Sequence, residues 1–384
     1  MYVAELDRPW LDTRFAFQGF SVTSEADLVR LRQTCKRVVI DLEKGVAPGE
    51  SAAGAAGRAR AAVVRYPEKL SVERELDPAK TVLHDCRRVL QKNIKALVAG
   101  GELDAAAVKS SVEKIADSIE RNPDAMLLLT KVRQKDEKQL ERALDVSVLM
   151  MTFGRFLQLS RDQLDLLGQV GLLQDIGKLK VPDHILQVKG ALSAQEMQVA
   201  RLHVVHSAAM LREVHGMSPQ VTELALLHHE RHDGSGYPRG LAGAEIGMLG
   251  GIAGIVDSYS AMTSQRPYAE QMSPSNALGA LYKDRGTLYN EALVEQFIQC
   301  IGIYPVGSVV QLNSGEVGVV IAQNRVRRLQ PRVMVLLNAQ SETVSPQRIL
   351  DLIKEPKTAS GEPYRIRRTL EASQLPMDPR DFFL

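Results

Sequence analysis

The sequence predicts a mainly α protein: a helical bundle, a small N-terminal domain containing β-strands, and a short C-terminal β-hairpin or three-stranded appendage. Three observations carry this. Between residues 125 and 304 apolar residues recur every three or four positions between helix-start signals. Before residue 45 the segment RVVIDLE is β-branched, and after Tyr304-Pro305 the pattern changes to short alternating runs.

Taken in order, residues 1–45 form the small N-terminal domain, with the aromatics Trp10, Phe15, Phe17 and Phe20 and a strand at RVVIDLE. Residues 46–71 contain VAPGESAAGAAGRARAA, an Ala/Gly-rich stretch with no core-forming side chains, which reads as a flexible linker. Residues 72–124 are connecting helices, one before the Gly100-Gly101 break and one after it, ending at Asn122-Pro123. The bundle follows over 125–304. Ser160-x-x-Gln163 and Ser193-x-x-Glu196 fit the capping box. Ser218-Pro219 and Ser273-Pro274 place an N-cap residue before proline at the first helical position. Over 305–350, VGSVVQL, a turn at Asn313-Ser314-Gly315 and EVGVVIA read as a hairpin, with RVMVLL as a third strand. Residues 351–384 read as a polar tail.

Composition narrows the function classes. The 384 residues are 45% hydrophobic and 24% charged, as in ordinary globular proteins, and a formal net charge of +2 gives no argument for DNA or RNA. No apolar run approaches membrane-spanning length, and the first residues lack a basic and apolar leader. Cys35, Cys86 and Cys300 are few and far apart, which suits free thiols in a reducing compartment. The expectation is a cytoplasmic protein.

Six of the eight histidines lie between 203 and 232. His228-His229 sits at the end of the helix begun by Ser218-Pro219 and runs into the glycine-rich loop of HHERHDGSGYP. Asp257 follows the apolar GGIAGIV, where a buried carboxylate needs a partner, and a divalent cation is one that satisfies it. Asp175, His203, His228, His229 and Asp257 on one bundle make a candidate metal-ligand set.

HHERHDGSGYP, QDIGKLKVPDHIL and VDSYSAMTSQRPY together resemble the HD-GYP family, a branch of the HD-domain metal-dependent phosphohydrolases. The N-terminal YVAELDRPWLDTRFAFQGF is similar to a small domain of unknown function found before HD-GYP domains, in which a further strand precedes the position of Met1. The resemblance implies an HD-domain bundle that hydrolyses cyclic di-GMP, to pGpG or GMP, with two or three iron or manganese ions. Asp175 then matches the bridging aspartate of HD. His203, His228 and His229 match the histidines of the second metal, and Asp257 matches the carboxylate of the first. Lys178 matches the lysine at the scissile phosphate, and Tyr237 lies in the loop that shapes the substrate pocket.

Two positions depart from the pattern. Gln174 replaces the histidine of HD, and Arg142, in KDEKQLERALDVSVL, replaces an upstream histidine; both histidines serve the same metal. Lys138 stands where three-metal members carry glutamate, and the family's arginine near Gly251 is absent. A guanidinium has no lone pair to offer a metal, and an amide is a poor ligand beside imidazole. Arg142 paired with Asp175 or Asp257 would satisfy the acids yet activate no water. The alternative for Arg142 is a helix-surface residue paired with Asp145, and for Gln174 a hydrogen-bonding swap that leaves activity intact. The resulting expectation is one divalent ion, Fe or Mn, instead of two or three, and a weak or silent hydrolase that acts by binding cyclic di-GMP or a related nucleotide. It leaves room for a signalling protein engaged through the GYP loop and for a homodimer. The competing readings are an active cyclic di-GMP phosphodiesterase that recruits Glu141 or Glu230, and a scaffold whose metal site is a relic. RVRR at 325–328, His206, His232 and Asp233 are weaker candidates, each more readily a solvated or turn-capping residue.

Overall fold

The structure, a computed structural model, describes residues 2–6, 20–22, 29, 31–32, 35, 37–40, 66–131, 138–188, 190–264, 271–324 and 327–370. The Ala/Gly-rich stretch and the aromatics Trp10, Phe15 and Phe17 lie outside the described residues. The chain divides into two units, 1–63 and 64–384. In the first, β1 (Tyr2–Leu6) is central, antiparallel to β2 (Phe20–Ser21) and to β3 (Val38–Ile40), the strand expected at RVVIDLE.

The second unit begins with α1 (Val72–Val98) and α2 (Ala105–Arg121), broken at Gly100, whose φ of +80° suits glycine. Asp104 caps α2 by accepting from Ala107 N. After α3 (Pro123–Lys131) comes α4 (Lys138–Phe156), which from Leu140 onward is buried on nearly every face and lies at the centre of the bundle. Then α5 (Arg161–Leu173) packs closely on it. A Cβ on Gly171 would fall 2.4 Å from Ser147 Cα, so the two backbones approach to a distance only glycine allows. A 3-10 turn (Ile176–Lys180) and α6 (Asp183–Leu186) lead to α7 (Ala194–Arg201), α8 (His203–Glu213) and α9 (Pro219–Ala225). The bundle closes with α10 (Gly247–Met262), α11 (Pro274–Lys283) and α12 (Glu291–Ile301). Both capping boxes form, and Ser218 and Ser273 cap the helices that open on proline.

Beyond the bundle is one antiparallel sheet in the order β7-β6-β5-β4-β8: β4 (Val309–Leu312), β5 (Val317–Ala322), β6 (Arg332–Leu337), β7 (Thr343–Asp351) and β8 (Ile366–Leu370). The three strands legible by alternation are present, but the sheet holds five. The fifth strand falls in the stretch expected to be a polar tail, where IRRTL pairs with β4. Every residue of β5 is buried, because both faces of the sheet are covered. Val309, Val317, Val319 and Ile321 join the bundle core, whereas Val310, Val320, Val333 and Val335 form a second cluster with Leu350 and Tyr364. Among the described residues no helix is long and apolar enough to cross a membrane.

Candidate metal centre

The centre is assembled where the end of α5 meets the start of α8. Gln174 and Asp175 follow the last turn of α5, and the 3-10 turn after them is pressed against α8. A Cβ at Gly177 would lie 2.1 Å from His203 O and 2.3 Å from Ser207 N. Gly177 N donates to Ser207 Oγ at 2.8 Å. This contact brings Asp175 to the histidines: its Oδ1 is 3.3 Å from His203 Nε2 and 3.8 Å from His228 Nε2. Lys178 Nζ donates to the other oxygen, Oδ2, at 2.6 Å.

His203 and His228 each place Nδ1 2.7 Å from a backbone carbonyl, of Ala200 and Ala225 respectively. A carbonyl only accepts, so Nδ1 carries the proton and Nε2 keeps its lone pair. The two Nε2 atoms are 3.4 Å apart. Burial pushes the His228 pKa down to about 4, and burial with neighbouring His228 holds His229 well below the usual imidazole range. One ring nitrogen from each of His203, His228 and His229 falls in a group within 4.8 Å. Asp175 Oδ1 is buried with no hydrogen-bond donor.

Lone pairs gathered on one point with no proton between them repel unless a cation lies there. Donor atoms sharing one ion through bonds of about 2.0–2.2 Å lie roughly 3–3.5 Å apart, and Asp175 Oδ1, His203 Nε2 and His228 Nε2 are separated by 3.3, 3.4 and 3.8 Å. The residues fit a divalent cation, which His203, His228 and His229 would hold with Asp175 Oδ1 beside them. Such an ion lowers the pKa of a bound water and polarises a phosphoryl oxygen.

The other half of the centre is differently filled. Arg142 on α4 donates from Nη2 to Asp257 Oδ1 at 2.7 Å, and its Nη1 lies 3.5 Å from Asp175 Oδ2. Gln174 Nε2 donates to the same Asp257 oxygen at 3.0 Å, while its Oε1 is buried without a donor. Burial alone would raise the Asp257 pKa, but the Arg142 guanidinium and the adjacent histidines outweigh it and hold it at about 2. Asp175 is likewise held well below the usual carboxylate range: burial opposes, and Lys178, His203 and Arg142 prevail. One guanidinium thus bridges both aspartates, and Asp257 Oδ1 accepts from Arg142 and Gln174 together. The surface pairing with Asp145 is not what forms; Asp145 is buried and accepts from Lys131 Nζ and Ser260 Oγ.

Tyr237 lies over the centre, its ring stacked on His229 at 4.7 Å between centroids. Its loop is held by Glu230, which accepts from Arg239 N at 2.8 Å and Leu241 N at 2.9 Å. This role was not read from the sequence, although a lone acid at the mouth of a glycine-rich loop is the type of residue that accepts loop amides. Glu141 is engaged by Arg87, whose Nε and Nη2 donate to its two oxygens at 2.5 and 3.1 Å. Both acids named in the competing active reading are thus engaged by other donors. Asp233 caps its own turn through Ser235. His206 is half-buried, and His232 contributes backbone hydrogen bonds to Leu288 and Gly243. Arg328 reaches Gln299 and Arg327 reaches Glu355, while Arg325 and Val326 lie outside the described residues, as does the Lys138 side chain. Arg201 and Ser207 also escaped the sequence reading; nothing local marks either one.

A helical bundle that turns histidines and aspartates onto one point is the architecture of an HD-type phosphohydrolase domain. The family described as "HD domain" matches residues 123–293, "Domain of unknown function (DUF3391)" matches 1–108, and "KOW domain associated with HD domain" matches 309–359. The chain is 35% identical to cyclic di-GMP phosphodiesterase PA4108 of Pseudomonas aeruginosa, over 92% of this chain and 86% of that protein. It is 39% identical to a cyclic di-GMP phosphodiesterase of Thermotoga maritima over 33% of this chain and 35% of that one. With the response regulator RpfG of Xanthomonas campestris, a cyclic di-GMP phosphodiesterase, it shares 36% identity over 37% of this chain and 38% of that one. The chain belongs to the HD-GYP family.

Proposed function

We propose that this chain is a cyclic di-GMP signalling protein that holds one divalent cation, Fe or Mn, and binds cyclic di-GMP or a related nucleotide beside Lys178 with little or no hydrolysis. The observation that carries the reading is the double occupation of Asp257 Oδ1 by Arg142 and Gln174. Cleavage by a two-metal clamp neutralises charge on both the attacking and the leaving oxygen. Here the second charge is organic and fixed: it can attract a phosphate but brings no water of lowered pKa. The reading makes the protein a cytoplasmic component that binds neither nucleic acid nor membrane.

A competing reading, an active phosphodiesterase releasing pGpG or GMP, draws on the near full-length similarity to a protein of that name. Incubation of purified chain with cyclic di-GMP and Mn²⁺ or Fe²⁺, with product analysis, decides between them. Calorimetric binding without product supports the proposal, and turnover comparable to that of PA4108 overturns it. Metal analysis giving no bound ion would favour the scaffold.

A further inference from the structure

The three histidines of the centre are not held alike. His203 and His228 are each oriented by an Nδ1–H···O=C bond of 2.7 Å. No hydrogen bond holds the His229 ring among the described residues. What meets it is the face of Tyr237, at 4.7 Å between centroids and 27° between planes, close to parallel stacking. The Tyr237 amide also donates to His229 O at 3.2 Å, which ties the two residues across the loop. Gly236 makes the approach possible, since a Cβ there would fall 2.4 Å from Arg231 N.

The stack continues outward. The Arg201 guanidinium carbon lies 4.8 Å from the centroid of the Tyr237 ring. Arg201 is exposed, and no carboxylate pairs with it among the described residues, so its charge is directed at the ring face. The phenol ring thus meets both the buried imidazole and the exposed guanidinium. The ring of a metal-bound histidine is normally fixed by a group that accepts a hydrogen bond from its other nitrogen. Here an aromatic face takes that place.

We propose that Tyr237 and Arg201 are positioning residues for His229: Tyr237 sets the plane of the imidazole for cation binding, and Arg201 clamps Tyr237 from outside. This rests on the reading of His229 as a ligand, and the controls separate the two. The full chain is stripped of metal and titrated with Co²⁺, following the visible d–d absorption and the dissociation constant, with thermal melting for each variant. Tyr237→Phe keeps the flat face and is expected to bind Co²⁺ within about twofold of wild type. Tyr237→Leu keeps apolar bulk against Val204, Ala208 and Leu226 but loses that face. Its affinity is expected to fall roughly 10- to 100-fold, the range found when a group that orients a metal ligand is removed, with a changed absorption envelope and an unshifted melting temperature. Arg201→Ala is expected to lose about two- to fivefold, the worth of an exposed cation–π contact. His229→Ala is expected to lose at least as much as Tyr237→Leu. Wild-type affinity and spectrum in Tyr237→Leu, with a loss in His229→Ala, overturn the positioning role alone. Wild-type affinity in His229→Ala overturns the ligand reading and the positioning role with it.

Discussion

Arg142 Nη2 stands 2.7 Å from Asp257 Oδ1, and that aspartate is only 3% exposed. The guanidinium is the main charge compensating a buried carboxylate. Removing one partner of such a pair leaves the other uncompensated, at about 3–5 kcal/mol. Arg142→Met is expected to lower the metal-free melting temperature by on the order of 10 °C. Mn²⁺ should restore part of the loss, because an inorganic cation can then take the place of the organic one. A melting temperature unchanged by the substitution would show that the pair contributes little.

Restoring imidazole at both departures tests the consequence for chemistry. Arg142→His with Gln174→His frees Oδ1 of Asp257 from both donors and adds two ring nitrogens beside it. Bound metal should rise from about one to two ions per chain, and cyclic di-GMP cleavage should rise with it, by 10²-fold or more if about 3 kcal/mol of transition-state stabilisation returns. Either substitution alone should leave the metal count at one, since the partner still blocks the position. A double variant that stays at one ion by elemental analysis contradicts this account.

Much of the centre was legible because its residues announce themselves locally. Asp175, His203, His228, His229 and Asp257 lie in distinctive stretches, and the two departures show as the wrong residue type in a known place. Helix starts were legible for the same reason, as at Ser160 and Ser193, where cap and partner lie three residues apart. Partner choice across long separations was not. Arg87 claims Glu141 from 54 positions away, and no periodicity encodes that. Strand β8 was illegible because IRRTL has adjacent arginines instead of alternation; its pairing with β4 comes from the sheet. The stacking of Tyr237 on His229 needs the loop to fold back, which depends on Glu230 holding two distant amides.

Gly177 carries the contact that places Asp175 beside His203. A methyl there would meet main-chain atoms, which cannot rotate away, at 2.1 and 2.3 Å. Gly177→Ala must therefore displace the 3-10 turn or the start of α8. Overpacking of this kind costs about 1–3 kcal/mol. Chemical denaturation should show that loss, and Co²⁺ titration a weakened site. Ser207→Ala leaves the buried amide of Gly177 without an acceptor and should give a comparable loss of about 1–3 kcal/mol by the same assay.

The C-terminal sheet is expected to be indispensable to the bundle. Val306, Val309, Val317, Val319, Ile321, Leu336 and Leu337 belong to the same apolar cluster as the helices. At about 1.5–3 kcal/mol for each buried side chain, their removal forfeits on the order of 10 kcal/mol, as much as a domain's whole stability. Gln323 N also donates to buried Asp124 at the start of α3. A chain ended after Tyr304 should aggregate or elute as an expanded species in size-exclusion chromatography. A monodisperse truncated bundle with wild-type melting would show the sheet to be dispensable.

Cys86 gives a probe of folding that is independent of the metal centre. It is 1% exposed on α1, and burial pushes its thiol pKa up to about 12, against weaker opposing effects from Arg87 and Ser111. At pH 8 its thiolate fraction is on the order of 10⁻⁴, and the reacting species is the thiolate. In a Cys35→Ser, Cys300→Ser chain, a thiol reagent should label Cys86 only when the α1 region opens, at a rate proportional to the open population. The sign of the pH effect follows from the raised value. The unfolded thiol ionises above about pH 9 and the folded one only near 12, so stability from this group is complete below 9 and declines between the two. Urea midpoints that fall from pH 8 to pH 10.5 more steeply in this chain than in its Cys86→Ala derivative would show the linkage. Rapid labelling of the folded protein at pH 8 would place Cys86 outside the core.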